Sequence, residues 1–182
     1  MIPMANDQEI LDFWREIGPK GWWKKDDAVD KRIVDEFGDL HAKAVAGELS
    51  DWESDPNSCL ALVLILDQFS RNMFRGDPAT FAHDAKGLAI AKAAIAKGHD
   101  KETDENLATF FYLPLMHSEV LEDQEECVRI FATMDKPENL KAAVEHRDII
   151  KQFGRFPHRN EVLGRETISQ EQVFLDGGGF KG

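Results

Sequence analysis

The sequence predicts an all-α protein of about eight helices, stacked as antiparallel pairs. Apolar residues recur at helical spacing through most of the 182 residues, and no segment shows the period-two alternation of a half-buried strand. Glycine and proline recur between the periodic segments, which indicates short connections. Because short connections place consecutive helices side by side, an antiparallel stack is the simplest arrangement.

The first helix begins at a capping residue and ends at a Gly-Pro pair. Asn6 or Asp7 can accept hydrogen bonds from the first free backbone N–H groups of the helix. Gly18 and Pro19 predict the end of the helix. A loop follows that carries two adjacent tryptophans at positions 22–23. Such a pair is typical of a lid packed on the core, and a ligand-stacking role is the alternative.

The next two helices contain the most apolar stretch of the chain. Residues 26–49 have one apolar stripe, which predicts a second helix with His41 at its surface. Asp55 and Pro56 are typical of an N-cap and a first helical position, and they open a third helix. Residues 59–66 are apolar on every side of that helix. We therefore expect it to be buried at the centre of the fold.

Five helices follow in the second half of the chain. Pro114 predicts a kink or break in one of them, because proline cannot donate to the preceding turn. A capping box at Ser169 and Gln172 predicts the short last helix. The predicted segments are an Ala-rich helix over 81–97, a helix capped by Thr103 or Asp104, helices over 119–134 and 137–153, and the short one after Ser169. We expect one domain over residues 1–176 and a Gly-rich tail over 177–182.

The composition excludes several classes of partner. A net charge of −12 and a pI near 4.9 argue against nucleic-acid binding and against attraction to anionic membranes, which both need basic surfaces. The longest apolar run covers residues 59–66 and is too short to cross a bilayer. Cys59 and Cys127 lack CxxC spacing, so we expect free thiols in a reducing compartment and a cytoplasmic protein.

One window is basic in this acidic chain. Residues 141–165 contain six Lys or Arg against three Asp or Glu, a net charge of +3. The window ends in FGRFPHRNEVLGR at Phe153–Arg165, which Gly154, Pro157 and Gly164 predict to be a folded-back turn. A basic aromatic turn is typical of an anion-facing surface or of a buried arginine network.

The polar stripe of the third helix provides the other half of a candidate site. A buried helix must satisfy its polar side chains internally or line a cavity with them. Arginine binds carboxylate or phosphate in a bidentate manner, and histidine can move protons near neutral pH. The candidate ligand-binding residues are Gln68, Arg71, Asn72, Arg75, His117, His146, Arg155, His158, Arg159 and Arg165.

Two functions of different classes follow from these residues. The first is binding or catalysis on a small anionic ligand in a pocket between the third helix and the FGRFPHRN turn. The second is a helical scaffold that binds a peptide or protein partner, in which the Arg/His cluster is purely structural. In that case Asp67, Glu119 or Glu161 would pair with the arginines and tie helices together.

Known catalytic motifs give no further direction. The sequence contains no P-loop, GxGxxG, GxSxG or HExxH motif. His117, His146 and His158 have no metal-ligand spacing, so we expect neither a metal nor another cofactor. His117 and His146 lie on apolar stripes and are expected to point inward. Catalysis itself and the oligomeric state stay open.

Several stretches carry a resemblance that extends almost from end to end. They are FW at Phe13-Trp14, AGELSDW ending at Trp52, LDQFSRN at Leu66–Asn72, PLMHSE at Pro114–Glu119 and FGRFPHRNEVLGR at Phe153–Arg165. In these stretches the chain resembles an uncharacterised bacterial family, domain of unknown function nine-two-four, among the TPR-like α-helical folds. The resemblance implies a TPR-like α-α array. It implies no substrate, activity or cofactor.

Overall fold

A computed structural model describes residues 5–182 of the chain. Every regular element in that range is a helix, so the all-α prediction is confirmed. The chain divides into two compact units. Unit 1 continues as far as Arg75 and resumes over Ala79–Pro114, while unit 2 comprises Gly76–Pro78 and Leu115–Gly182. No helix among the described residues is long and apolar enough to cross a membrane.

Unit 1 is built around one long central helix. Its elements are α1 (Asp7–Trp22), α2 (Asp27–Ala46), α3 (Pro56–Leu64), a π-helix (Ile65–Phe69), α4 (Ser70–Met73), α5 (Asp84–Lys97) and the start of α6 (Glu105–His117), with short 3₁₀ turns between them. The central helix is the continuous run of α3, the π-helix and α4. It packs against α1, α2 and α5, which explains why its apolar residues are spread all round.

The burial predicted for the central helix is confirmed. Every residue from Cys59 to Leu66 is buried, and Leu60, Val63 and Leu64 have no exposed surface at all. The π-helix was not predicted. A single π-helical turn within an α-helix is frequently found at a functional site. It carries Asp67, which is buried although it is charged.

The start and end of α1 correspond only in part to the sequence prediction. Asn6 forms the predicted cap, with Glu9 completing a capping box. Gly18 breaks the helix with φ +66°, but the predicted loop after it is wrong, because Pro19 opens one more helical turn. Trp22 closes that turn by donating its indole N–H to the carbonyl of Trp14 at 2.7 Å.

Two other helices differ from the sequence prediction. His41 of α2 was predicted at the surface and is buried instead, because the central helix packs against α2 at this point. Pro114 does not break α6, which stays helical to His117. The Ala-rich helix α5 begins at Asp84, three residues later than predicted, and ends at Gly98 in the left-handed conformation as expected.

Unit 2 contains one helix hairpin and an irregular C-terminal part. The helices are α7 (Leu121–Ala132), α8 (Pro137–Phe153), α9 (Asn160–Leu163) and α10 (Ser169–Asp176). Helices α7 and α8 pack together as an antiparallel hairpin joined by a short turn. The predicted folded-back turn is a different one, which lies after α8, between Gly154 and Gly164. The predicted capping box is wrong by one position, because Ile168 is the N-cap and Glu171 accepts from its backbone N–H.

Candidate functional site

The polar stripe of the central helix forms an ion-pair network inside unit 1. Arg71 contacts two carboxylates: Nη1 and Nη2 donate to Asp84 at 2.8 and 3.0 Å, and Nη1 also donates to Asp67 at 3.2 Å. Burial lowers the pKa of Arg71, but the two carboxylates outweigh it and raise that pKa above its ordinary value. Arg71 is therefore held as a cation between α5 and the π-helix.

The neighbouring polar residues of the stripe also bind oxygen atoms of unit 1. The Asn72 amide and the Arg75 guanidinium both donate to Asp30 of α2, at 2.7 and 2.6 Å for the shortest contacts. The Gln68 amide donates to Asp67 at 2.8 Å. All four candidate residues of the central helix thus contact a carboxylate of their own unit, and two of these carboxylates were not predicted as partners.

A buried histidine lies beside this network. The His41 Nε2 and Ser70 Oγ atoms are 2.8 Å apart, and the His83 ring lies 5.7 Å from the His41 ring. Burial, aided by His83, lowers the pKa of His41 to about 4. His41 is therefore neutral near pH 7. Ser70 has no exposed surface, so this pair cannot act as an accessible nucleophile and base.

In unit 2, two carboxylates organise the basic turn. The Glu119 carboxylate accepts hydrogen bonds from both terminal nitrogens of Arg165, at 2.9 and 3.0 Å. It also accepts a hydrogen bond from the backbone N–H of Phe156 at 2.8 Å. Burial alone would raise the pKa of Glu119, but these donors hold it below its ordinary value. Arg165 in addition donates to the carbonyl of Phe156 at 3.0 Å, so the pair fixes both backbone groups of that residue.

The second carboxylate closes the other side of the turn. Glu171 accepts from Arg155 at 2.7 and 3.0 Å and from the Asn160 amide at 3.0 Å. The hydrogen bond from Arg155 is the main cause that lowers the pKa of Glu171 to about 2. Glu171 lies eleven residues beyond Asn160 in the sequence, and no spacing pattern connected it with the turn.

Arg159 differs from the other arginines of the turn in its surroundings. Its guanidinium lies over the Phe156 ring, 4.6 Å from the centroid, and Nη2 donates to the carbonyl of His117 at 2.9 Å. A cation at this position suits the negative end of α6. Only 7% of Arg159 is exposed, and His117 itself is half-buried.

Two predicted site residues meet in an aromatic slot. His146 is buried as predicted, and its Nδ1 lies 2.7 Å from the carbonyl of Ala142. The rings of His146 and His158 lie 5.6 and 5.7 Å from the Phe156 ring. The Phe180 ring fills the space beside them, 4.6 Å from His146 and 5.0 Å from His158. We call this arrangement of His146, Phe156 and His158 the aromatic slot.

The sequence anticipated part of this arrangement and missed the rest. Asp67 and Glu119 were named as partners of the arginines, and both contact them. Glu161, the third partner named, forms no ion pair with them within residues 5–182, whereas Asp30, Asp84 and Glu171 were missed. The four candidates of the central helix lie in unit 1 and the other six in unit 2. The pocket predicted to join them stays a prediction.

Metal centres need grouped ligands, and reactive cysteines need an accessible, ionised thiol. Among residues 5–182, no three His, Cys, Asp or Glu side chains are grouped so that they could hold a metal ion. Cys59 and Cys127 are both buried, and neither forms a disulfide. Burial raises the pKa of these thiols to about 11 and about 12, so neither is a thiolate near pH 7.

Both units are all-α, and arginine–carboxylate contacts connect elements within each of them. The chain belongs to the family described as bacterial protein of unknown function (DUF924), whose model matches residues 10–179. A solved protein of unknown function from Agrobacterium tumefaciens, ATU0120, is 42% identical, with a TM-score of 0.91 over 94% of this chain and 97% of that chain. No curated protein matches the sequence.

Proposed function

We propose that the protein is a TPR-like helical scaffold of the cytoplasm that binds a peptide segment of a partner protein. The anchor of that segment is an aromatic side chain, which enters the aromatic slot of unit 2. The observation that carries the proposal is the position of Phe180, whose ring lies edge-on against His158 at 88° and contacts His146. The two buried cysteines, which form no disulfide, support the cytoplasmic location.

The slot has the properties of a peptide-anchor site. Phe156 belongs both to the slot and to the apolar cluster that it forms with Ile149 and Ile150, against which Phe180 packs while staying partly exposed. The chain reaches it by a glycine turn, because Gly178 adopts φ +83° and Gly179 donates to the carbonyl of Phe174 at 2.9 Å. A short, glycine-hinged segment can leave the slot without unfolding α10, and an anchor from another chain can then replace it.

The arginine contacts favour the scaffold over the small anionic ligand. Arg71, Arg155 and Arg165 each form two hydrogen bonds with one carboxylate, so an incoming anion would have to compete with an internal partner of the same charge. Binding of a small anion is the alternative function, and the experiment must distinguish it from peptide binding.

The test uses full-length Phe180→Ala protein and two labelled peptides, GGFKG and GGAKG. We expect the imidazole C–H signals of His146 and His158 to shift in the variant and to return when GGFKG is added. The tethered Phe180 competes at an effective concentration on the order of millimolar, so GGFKG should bind the variant about tenfold more tightly than the wild type. Val173→Ala, which alters an exposed residue of α10, is the matched control and should bind like the wild type.

Two results would contradict the proposal. If GGFKG and GGAKG bind Phe180→Ala equally, the slot does not recognise an aromatic anchor. If phosphate raises the melting temperature of the wild type and Arg159→Leu abolishes the rise while the protein stays folded, the ligand is an anion. A scaffold predicts no such rise.

A further inference from the structure

The end of α1 presents one tryptophan to solvent and holds its neighbour in place. The Trp22 ring stands edge-on to Phe110 at 5.0 Å, and its indole N–H is bonded to the carbonyl of Trp14. The Trp23 ring lies almost parallel to the same Phe110 ring, with 17° between the planes and 5.6 Å between the centroids. Yet Trp23 is 57% exposed, so one face of its indole is supported and the other faces solvent.

The backbone around Trp23 is fixed by several local devices. Gly18 has φ +66°, and Pro19 restarts the helix in the next residue. A side chain at Gly21 would place its Cβ 2.6 Å from Ile17, so this turn tolerates little beyond glycine. The backbone N–H of Lys24 donates to the carbonyl of Gly21 at 3.2 Å. A tryptophan that is already held in its binding geometry loses little conformational entropy when a partner docks.

The charge of this segment is opposite to that of the chain. Residues 18–25 contain Lys20, Lys24 and Lys25 and no acidic residue, a net charge of +3. The other residues of the chain therefore carry −15, given the total of −12. All three lysines are exposed, and Lys25 has only a loose contact of 3.5 Å with the still more exposed Asp27. Such a contact contributes little and leaves the lysine able to bind a partner.

We infer that Trp23 with Lys20, Lys24 and Lys25, the Trp23 surface, docks an acidic segment of a partner protein that carries one apolar or aromatic anchor residue. Tryptophan is enriched among the residues that dominate binding energy, and an exposed indole face can stack on such an anchor. The lysines supply attraction for carboxylates that flank it. This surface lies in unit 1 and is independent of the aromatic slot.

A short acidic segment fits the surface better than an extended polyanion does. Asp26 and Asp27 follow the lysines directly, and both are exposed, so they would repel any anion that extends past the basic residues. Charges act over about 8–10 Å at physiological salt, which is the length of a few extended residues. A membrane or a nucleic acid would bring its negative charge against the acidic remainder of the chain as well.

The first measurement is the anisotropy of fluorescein-labelled EEEFEEE with the full-length protein, with EEEAEEE as the peptide control. We expect Trp23→Ala to weaken binding of EEEFEEE by about 10–30-fold, the loss typical of a central aromatic contact. Val34→Ala, which removes another exposed apolar side chain of unit 1, should leave the affinity within about twofold. Equal affinity of wild type and Trp23→Ala would overturn the inference.

The second measurement tests the charges and remains informative if Trp23→Ala is poorly folded. Lys24→Glu/Lys25→Glu should weaken binding about tenfold or more and reduce its dependence on salt. Lys141→Glu/Lys151→Glu changes the net charge equally in unit 2 and should have no comparable effect. Equal effects of the two double variants would show that binding depends only on the net charge of the protein, and this would overturn the inference.

Two other occupants of the surface give distinct results. Vesicles of phosphatidylglycerol that bind more tightly than EEEFEEE, with the same dependence on Trp23, would show a membrane-binding surface instead. A dimer in sedimentation that Trp23→Ala converts to a monomer would show an interface between two copies of this chain. Either result overturns the inference, and neither bears on the binding of GGFKG to the slot of unit 2.

Discussion

The two units use the same pair of chemical groups for different tasks. In unit 1, Arg71 bridges Asp67 and Asp84 beside a helix whose apolar residues are already fully buried. In unit 2, Arg155 and Arg165 bind Glu171 and Glu119 around the irregular turn between Gly154 and Gly164. The ion pairs of unit 1 are attached to a core, whereas those of unit 2 determine the path of the backbone.

This difference indicates what each network contributes. The apolar contacts of unit 1 hold its helices together, so its buried charges must be paired chiefly because an unpaired one would be costly. The turn of unit 2 packs around the small cluster of Ile149, Ile150 and Phe156. There the hydrogen bonds of Glu119 to the backbone of Phe156 and to Arg165 replace contacts that a larger core would supply.

The largest effect should come from removing the arginine of unit 1. Arg71→Met leaves the buried Asp67 without its cation, which should cost about 3–5 kcal/mol of stability. Urea unfolding followed by tryptophan fluorescence measures this directly, because all four tryptophans lie in unit 1. Arg75→Met is the matched control: Arg75 is 39% exposed, and its loss should cost about 1 kcal/mol or less. Equal costs for the two variants would show that Asp67 does not need Arg71.

The next effect tests whether unit 1 has the larger core. Leu64 has no exposed surface, and Leu64→Ala should cost about 2–5 kcal/mol. Ile149→Ala in unit 2 removes a residue at the edge of a smaller cluster and should cost less, since its surroundings can close over the cavity more easily. Circular dichroism is the common readout, because unit 2 contains no tryptophan. A cost under about 0.5 kcal/mol for Leu64→Ala would show that the central helix is peripheral.

The same contrast explains which parts of the fold could be predicted from the sequence. The central helix was predicted because an apolar run without a polar side has one physical solution, burial on all sides. The surface position predicted for His41 was wrong, since periodicity does not reveal a hydroxyl such as Ser70 on a neighbouring helix. The extra turn at Pro19–Trp22 was missed because it depends on packing against Trp14 and Phe110.

The candidate site was predictable in composition but not in pairing. The arginines, histidines and amides of the two motifs were recognised as a set that needs partners. Which carboxylate each arginine binds depends on tertiary contacts over 16 residues for Glu171 and 46 for Glu119. Phe180 was missed because a glycine-rich tail has no periodicity, and its place beside His146 and His158 follows from the turn at Gly178.

The ion pair between Glu171 and Arg155 in unit 2 should make the stability of the protein depend on pH in the acid range. The pKa of Glu171 falls from the usual 4.5 to about 2 in the folded protein, mainly through Arg155. Its contribution to stability is therefore complete above pH 4.5 and is lost as the pH falls toward about 2. The loss should reach about 3 kcal/mol over that window. Glu171→Gln should be less stable near neutral pH and should lack this acid-dependent loss, as measured by the circular dichroism of urea unfolding.

The smallest effect should be the titration of His41 in unit 1, and it occupies a different pH window. The folded pKa of His41 is lowered from 6.5 to about 4, so only the unfolded chain takes up the proton between these values. Stability is thus constant above pH 6.5 and declines as the pH falls toward 4, and it should be about 2 kcal/mol lower near pH 5.

His41→Gln can keep the hydrogen bond to Ser70 but cannot titrate, so tryptophan fluorescence should show a flatter stability profile between pH 6.5 and 4. A profile with the wild-type slope would assign the decline to groups other than His41. His83→Gln is the matched control: it removes a neighbour that lowers the pKa of His41, and it should shift the midpoint of the decline without abolishing it.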